Sequence, residues 1–243
     1  MLVSAYTDVG SVRKVNEDNY YVSDFLNDNG FIIVADGMGG HNGGQIASKT
    51  AIDAIKNNLS LESMLLMSED EIENHLNDCI DNANNEVILK SLTDEHLNGM
   101  GTTLVLCVVL NNKIYIANIG DSRFYAIRDN KIAQVTKDHS VVQMLIDKGE
   151  ISEIEAKNHP NKNVITRAIG SSPKAEADIY SYSIKKDDYI LMCTDGLSNM
   201  VDSSTILNFL MSESNLDTAV KKMGDLAIKN GGYDNITVVA VRF

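Results

Sequence analysis

The stretch GTTLVLCVVLNNKIYIANIGDSR, residues 101–123, decides how the chain is built. Two apolar, β-branched runs, Thr102–Leu110 and Lys113–Ile119, flank Asn111-Asn112. Asparagine tolerates the positive φ that a two-residue hairpin turn demands, so the runs read as paired antiparallel strands. The second strand runs into Gly120-Asp121, which leaves a carboxylate where an apolar strand meets a turn.

Outward from this hairpin, the same pattern repeats. Arg123–Arg128 and Lys131–Val135 form a second hairpin around Asp129-Asn130. Toward the N-terminus, Leu2–Thr7, Asn19–Ser23 and Phe31–Asp36 read as strands. A Gly-rich turn and a helix from about Gly44 to Asn58 follow, with Ile46, Ala47, Thr50, Ala51, Ala54 and Ile55 as its apolar stripe. A second helix opens at Ser68, where Ser68 and Glu71 make a capping box, and buries Ile72, Leu76, Cys79, Ile80, Ala83 and Val87. Toward the C-terminus, strands Ile179–Ile184 and Tyr189–Thr194 precede helices near Ser203–Met211 and Leu216–Lys229, the latter capped by Asn215. The last strand, Asn235–Phe243, is apolar on both alternating faces, as a strand covered on both sides must be. Residues from about 138 to 173 break the pattern into short helices and loop, and hold both prolines. Two helices cannot cover so many hairpin-linked strands unless the strands divide into two sheets. The expected architecture is therefore α+β: a four-layer αββα sandwich of two mostly antiparallel sheets, a helix pair on each outer face, and a flap at 138–173 within one domain, 1–243.

Composition narrows the function. The 243 residues are 44% hydrophobic and 23% charged, in the ordinary globular range, and carry a net charge of −13. Such a surface repels nucleic-acid phosphates and anionic lipid. Three cysteines without a CxxC spacing make neither a disulfide framework nor a zinc site, and reduced thiols suit the cytoplasm. The longest apolar run, Leu104–Leu110, falls far short of the roughly 20 residues that span a bilayer. MLVSAYTDVG has no basic start or apolar middle of a leader, and no membrane tail is expected before Phe243.

Four aspartates share one context. Asp36 ends FIIVAD, Asp121 follows IYIANIG, Asp195 follows YILMCT, and Asp234 precedes NITVVAVRF. A lone Asp-Gly at a strand end is an ordinary turn signal. Four carboxylates beside the most apolar strands would meet at one edge of the sandwich and repel one another unless cations lay between them. An all-oxygen donor set suits Mg²⁺ or Mn²⁺ better than zinc. Upstream, Arg13, Asn16, Glu17 and Asp18 add a further charge cluster, in which the planar fork of Arg13 matches two phosphate oxygens.

Together, RKVNED (13–18), VADGMGGHNGG (34–44), GTT (101–103), ANIGDSR (117–123), NVITRAIG (163–170), CTDGL (193–197) and YDNIT (233–237) resemble, in order and spacing, the metal-dependent protein serine/threonine phosphatases, the PPM or type 2C family, in its bacterial catalytic-domain form. The resemblance covers essentially the whole chain. It implies removal of phosphate from phosphoserine and phosphothreonine of phosphoproteins, in opposition to a serine/threonine kinase, by a soluble cytoplasmic monomer that engages neither nucleic acid nor membrane. It implies two core Mn²⁺ or Mg²⁺ ions and a weaker third. On that likeness Asp36 bridges the core pair, and the Gly37 carbonyl is a ligand. Asp195 and Asp234 hold one ion, Glu17 and Asp18 the other site through water, and Asp121 with Asp195 the third. Arg13 takes the substrate phosphate, and a hydroxide between the ions attacks phosphorus directly.

One departure matters. Many eukaryotic members carry a histidine where this chain has Met38, so the leaving group takes its proton from a metal-held water or from His41. Rival chemistries fail on single positions. A cysteine phosphatase needs Arg six residues after Cys, where Asn85, Lys113 and Asn199 stand. A P-loop needs lysine at Gln45, and a dinucleotide fold needs glycine at Asn42. A catalytically dead module of the same fold would have lost metal aspartates, and a phosphatase dedicated to one signalling partner would look the same in sequence.

Overall fold

The structure is a computed structural model that describes residues 1–40 and 43–243; His41 lies outside the described residues. The chain opens with strands β1 (Leu2–Asp8), β2 (Asn19–Val22), β3 (Gly30–Ala35) and β4 (Gly37–Met38). Helices α1 (Gly43–Asn58), α2 (Leu61–Met64) and α3 (Glu69–Ser91) follow. A β-rich run comes next: β5 (Gly101–Thr102), β6 (Leu104–Leu110), β7 (Lys113–Ile119), β8 (Arg123–Arg128) and β9 (Lys131–Gln134). The flap carries α4 (Val141–Asp147) and α5 (Glu153–Ala156). Strands β10 (Asp178–Ser183) and β11 (Tyr189–Cys193), helices α6 (Asp195–Ser198), α7 (Ser203–Ser212) and α8 (Leu216–Lys229), and strand β12 (Ile236–Arg242) close the chain.

The strands form two five-stranded sheets, ordered β1-β12-β11-β8-β9 and β10-β7-β6-β3-β2. Adjacent strands in both run antiparallel. Side-chain alternation then sorts the core into three apolar layers. Ile32, Val34, Val105 and Cys107 of one sheet meet Phe124, Ile190, Met192 and Val239 of the other. Their neighbours Ile33, Leu104, Leu106 and Val108 face outward onto Ala51 and Ile55 of α1 and Leu76 and Ile80 of α3. On the opposite side, Leu191, Cys193, Val238 and Ala240 face Ile206 and Leu210 of α7 and Val220 and Met223 of α8. This is the αββα sandwich with a helix pair on each outer face.

Local chemistry fixes the ends. Asn111 and Asn112 take φ of 49° and 62°, and Asp129 and Asn130 take 52° and 56°, so both hairpins turn through the left-handed region. Ser68 and Glu71 form the capping box of α3, and Asn215 caps α8 by accepting from the Asp217 and Thr218 amides. The expected strand from Thr102 to Leu110 is broken: β5 and β6 are separate, and β5 pairs with β4 rather than with β7. The cause lies in Thr103, whose amide donates to the Asp36 carbonyl (2.9 Å) and whose hydroxyl accepts from the Asp36 amide (3.0 Å).

The flap returns to the core through two ties. Thr102 and Ile169 exchange backbone hydrogen bonds of 3.0 and 2.9 Å. The buried Asn84 of α3 accepts from the Gly170 amide (2.7 Å) and donates to the Ser172 carbonyl (2.9 Å). Among the described residues, no helix is long and apolar enough to cross a membrane.

The layered core makes a graded stability prediction. Phe124→Ala empties the layer between the sheets and is expected to cost about 3–5 kcal/mol, whereas Ser68→Ala removes one cap and costs about 1 kcal/mol. Denaturant midpoints of the two variants check this; equal losses would show that the inter-sheet layer is not the dominant core.

Candidate metal centre

Strand register brings the acids to one rim. Asn19 pairs with Ala35, so Asp18 and Asp36 emerge side by side beyond β2 and β3. Leu104 pairs with Ile119, which carries Thr103 and Asp121 to the same edge of that sheet. In the other sheet Cys193 pairs with Val238, and the Thr194 amide donates to the Thr237 carbonyl (3.0 Å), so Asp195 and Asp234 leave β11 and β12 at the facing edge. Asp195 is the first residue of α6 rather than part of a turn.

Uncharged donors and acceptors hold this rim in place. The Thr194 hydroxyl donates to Asp18 Oδ2 (2.9 Å) and accepts from the Thr237 amide (3.0 Å), crossing from one sheet to the other. Asn235 Oδ1 accepts from the Glu17 amide (2.8 Å), while its Nδ2 donates to the Val9 and Val15 carbonyls (3.0 Å each). The Ser48 hydroxyl donates to the Glu17 carbonyl (2.6 Å), and the Gly44 amide to Glu17 Oε1 (3.2 Å). Thr103 is joined to the Ser122 hydroxyl at 2.7 Å beside Asp121. A side chain at Gly37 would collide with the Gly44 carbonyl, so β4 and α1 approach this closely only through glycine.

The electrostatics are those of a site short of positive charge. Burial drives the Asp18 carboxyl up to about 7; the Thr237 and Thr194 hydroxyls pull it down, and the charges of Asp195 and Asp234 push it up. Asp121 rises to about 7 through burial and then the charges of Asp195 and Asp138. Asp195 rises to about 6 through burial and then Asp234. Asp36 is raised well above the carboxylate range by burial and by the charges of Asp18, Asp195, Asp121 and Asp234. Burial also raises Glu17, against the pull of the Gly44 amide and Arg13. Arg13 Nη2 lies 2.8 Å from Asp234 Oδ2, with half of its side chain exposed. Arg123 is committed to Asp138 through contacts of 2.6–3.1 Å.

These features fit divalent cations. Asp18 Oδ1 and Asp195 Oδ1 are buried without a hydrogen-bond partner, an expensive state for a carboxylate that a cation would relieve. The donors at the rim are hard oxygens, as Mg²⁺ and Mn²⁺ prefer. Among the described residues, no three His, Cys, Asp or Glu side chains close around a single point. The donor set itself, carboxylate and backbone oxygens, argues against a closed zinc cage.

The structure thus gathers Arg13, Glu17, Asp18, Asp36, Asp195 and Asp234 at one rim, with Asp121 on the flap side and His41 outside the described residues. A cavity of about 610 Å³ runs from Asp121 and Asp195 under the flap. Thr103, Thr194, Asn235, Ser48 and Ser122 carry the rim and drew no role in the sequence. Four of them lie inside the segments GTT, ANIGDSR, CTDGL and YDNIT, and only their pairing with residues distant in the chain distinguishes them from ordinary strand and turn residues.

Known proteins resemble this chain over nearly its whole length. The family profile Protein phosphatase 2C matches residues 11–236. The Serine/threonine phosphatase stp of Listeria monocytogenes is 40% identical over 235 residues, 97% of this chain and 93% of that protein. The Protein phosphatase PhpP of Streptococcus pneumoniae is 36% identical over 243 residues, 99% of this chain and 97% of its own. Among solved structures, the S. agalactiae serine/threonine phosphatase superposes with a TM-score of 0.91 at 33% identity, covering 99% of this chain and 98% of its own. The catalytic domain of PstP in complex with two manganese ions gives a TM-score of 0.85 at 32% identity, covering 98% and 96%.

The raised acids set a pH dependence for the metal-free protein. An acid whose pKa is higher folded than unfolded keeps its proton longer in the fold. Their contribution to stability is therefore fully present below the unfolded carboxylate range, about 4, and is lost as pH climbs toward about 7. His139, held below its ordinary value by burial, acts in the opposite sense below about pH 6.5. Comparing wild type with Asp36→Asn cancels that contribution. Without metal at about pH 8, Asp36→Asn is expected to melt several degrees above wild type, with the gap closing toward pH 5. Mn²⁺ should stabilise wild type and not the variant. Thermal melts in EDTA and in Mn²⁺ check this, and a variant less stable than metal-free wild type at pH 8 contradicts it.

Proposed function

Because the chain belongs to the protein phosphatase 2C family and is a protein serine/threonine phosphatase, we propose that its acidic rim holds two divalent ions and removes phosphate from phosphoserine and phosphothreonine by direct attack of water. The observation that carries this reading is the pair of buried, partnerless oxygens on Asp18 and Asp195 within a crowd of acids. Asp36 would be shared by both ions, with the Gly37 carbonyl as a further ligand. Asp195 and Asp234 would hold one ion, and Glu17 and Asp18 the other through water. Asp121 with Asp195 would take a weaker third. The relative PstP, whose structure contains two manganese ions, supports the number and the metal. Mn²⁺ or Mg²⁺ in these positions would supply an acidified water and neutralise phosphoryl charge.

The chain supplies the rest. Arg13, half-exposed beside Asp234, presents its remaining N–H groups to phosphoryl oxygens, a bidentate match that lysine lacks. Met38 has no proton to give, so the leaving alkoxide draws one from water in the site or from His41. A covalent phosphocysteine is ruled out chemically. Cys79, Cys107 and Cys193 are buried, and burial raises all three thiols, Cys79 to about 11 and Cys193 to about 12. On this reading residues 1–243 act as one catalytic domain whose flap, 138–173, meets the substrate. The enzyme works as a cytoplasmic monomer on phosphoproteins and opposes a serine/threonine kinase. Its net charge of −13 keeps it from nucleic acid and anionic membrane.

Three expected outcomes test this. Hydrolysis of p-nitrophenyl phosphate and of a phosphothreonine peptide should require Mn²⁺ or Mg²⁺, fall steeply with Ca²⁺, which prefers longer bonds and more ligands, and vanish in EDTA. In calorimetric titration Asp36→Asn should lose tight Mn²⁺ binding, whereas Asp121→Asn keeps two ions with lower turnover. Loss of the tight sites in Asp121→Asn would make Asp121 a core ligand. Separately, Arg13→Ala and Arg13→Lys should both keep the ions and lose roughly 10- to 100-fold in kcat/KM, about 1.5–3 kcal/mol. Normal kinetics in Arg13→Lys would mean that a point charge suffices.

A further inference from the structure

A second cavity, of about 350 Å³, opens at the end of the sandwich away from the metal rim. Strand β6 runs from Leu104 beside the rim to Leu110 at this end, roughly 20 Å at the usual rise per residue. Met1 and Phe243 line the cavity from the sheet of β1 and β12, and Val109 and Ile184 line it from the sheet of β6 and β10. Val109 belongs to the apolar layer between the sheets, and Ile184 and Phe243 pack half-buried against that layer. The cavity is therefore the open end of the inter-sheet layer, with apolar residues contributed from both sides.

Its charged wall is built by the turn from β10 to β11. The Ile184 amide donates to the Asn112 carbonyl (2.9 Å), and the Asp187 amide to the Phe243 carbonyl (3.0 Å), so the turn is fastened to both sheets. Its two acids already have partners. Asp188, buried, accepts from Arg128 Nε (2.9 Å), and Asp187 lies 3.4 Å from Arg242. The two lysines of the same turn, Lys185 and Lys186, line the cavity, and among the described residues neither ammonium group forms an ion pair. Lys185 reaches Asp188 only as a longer-range charge. One acid, Asp28, shares the lining; it lies 4.0 Å from the Met1 amino group, and most of its side chain is in water. In a chain of net charge −13, two lysines without carboxylate partners beside an apolar hollow are a local excess of positive charge.

We propose that this cavity binds a small amphipathic anion, with an apolar body of several carbons on Val109, Ile184 and Phe243 and a carboxylate held by Lys185 and Lys186. The volume lies at the lower end of the range for small-molecule sites. Lysine ammonium groups are compact point charges, suited to a single anionic head. The apolar body supplies most of the affinity, and the lysines select the sign of the head. The site is independent of the phosphatase reading, because it lies a full strand length from the rim and its ligand is not the substrate. A ligand seated between the two sheets binds the native form alone and raises its melting temperature.

The probe is octanoate, titrated into the full chain with Mg²⁺, with octylammonium and octanol as the cationic and neutral forms of the same tail. Amide NMR shifts are expected at Asn112, Lys185 and Phe243 and not at Gly37 or Asp121, with a Kd on the order of 1 mM. Octanol should bind about three- to tenfold more weakly, and octylammonium should not bind. The double variant Lys185→Gln with Lys186→Gln should weaken octanoate by a similar factor and leave octanol unchanged. Asp28→Asn should tighten octanoate by about twofold, and asparagine accepts the φ of 60° at that position. All three substituted side chains are exposed, so melting temperature without ligand and p-nitrophenyl phosphate turnover should match wild type. Shifts confined to the rim would put the carboxylate on the metal and overturn the proposal. Octanol binding as tightly as octanoate, or a double variant that binds octanoate as wild type does, would remove the role of the lysines and overturn it too. No shift at the cavity with octanoate at about ten times the expected Kd would show that the cavity is not a site.

Discussion

The constraint on which the molecule turns is the burial of mutually repelling carboxylates at one edge of the sandwich. Asp18, Asp36, Asp121 and Asp195 all sit where burial and neighbouring charge favour the proton over the anion. Nothing in packing calls for such a cluster, because a rim of small neutral residues would let the same strands meet at lower cost. The cluster makes sense when a divalent cation is counted among the contacts of the folded state. Arg13 alone is too exposed and too close to one partner, Asp234, to neutralise the rest. Ions bound there would make stability and chemistry depend on the same contacts, since whatever binds only the native form deepens its well.

The arrangement also joins the two sheets. Thr194 follows β11 in one sheet, and its hydroxyl reaches Asp18, which precedes β2 in the other. Asn235, at the foot of β12, ties down the loop from Val9 to Glu17 with three hydrogen bonds. Thr103 clamps Asp36 from both sides of its peptide unit. Each of these residues spends uncharged hydrogen-bonding groups on orienting an acid, which leaves carboxylate oxygens pointing into the rim without a partner of their own. A slip of one sheet over the other would separate Asp18 from Thr194, so the inter-sheet layer around Phe124 and Ile190 sets the geometry of the rim at a distance.

Legibility in the sequence followed the range of the interaction. Asn111-Asn112, the Ser68–Glu71 box and the Asn215 cap act within a few residues, and the structure places each where its local chemistry points. The alternation of Ile32 and Ile33, or of Val105 and Leu106, set the layers because a period of two leaves no choice of face. The break at Thr103 was hidden. Its cause is Asp36, sixty-seven residues away, and nothing in TTLVLCVVL marks one threonine as different from the next. Asp195 likewise looked like a turn residue, yet α6 starts on it because Gly196 lets the chain lie against the Asn235 carbonyl. The acids themselves were legible by type and strand-end position; the hydroxyls and amide that hold them were not, since Thr194 and Asn235 gain meaning only from partners across the sandwich.

The flap shows why chemistry and selection can be built from different parts of one chain. At its entry, His139 Nδ1 accepts from the Gly120 amide (3.2 Å), and its own amide donates to the Gly120 carbonyl (2.9 Å). That bond leaves the ring proton on Nε2, 3.2 Å from Asp178 Oδ2, and Asp178 also receives Arg167 at 2.9 Å. At its exit, Asn84 and the Thr102–Ile169 pair fasten the chain to α3 and to the strand beside Gly37. Both anchors lie next to the rim, and both are polar networks of fixed geometry. Between them, α4 and α5 make few demands on the core: only Ala156 among their residues is buried. A segment clamped at both ends with little of its middle in the core can change its side chains without moving Asp121 or Gly37. The half-buried apolar residues of α4, none of them in the core, are therefore a feature the fold permits without requiring.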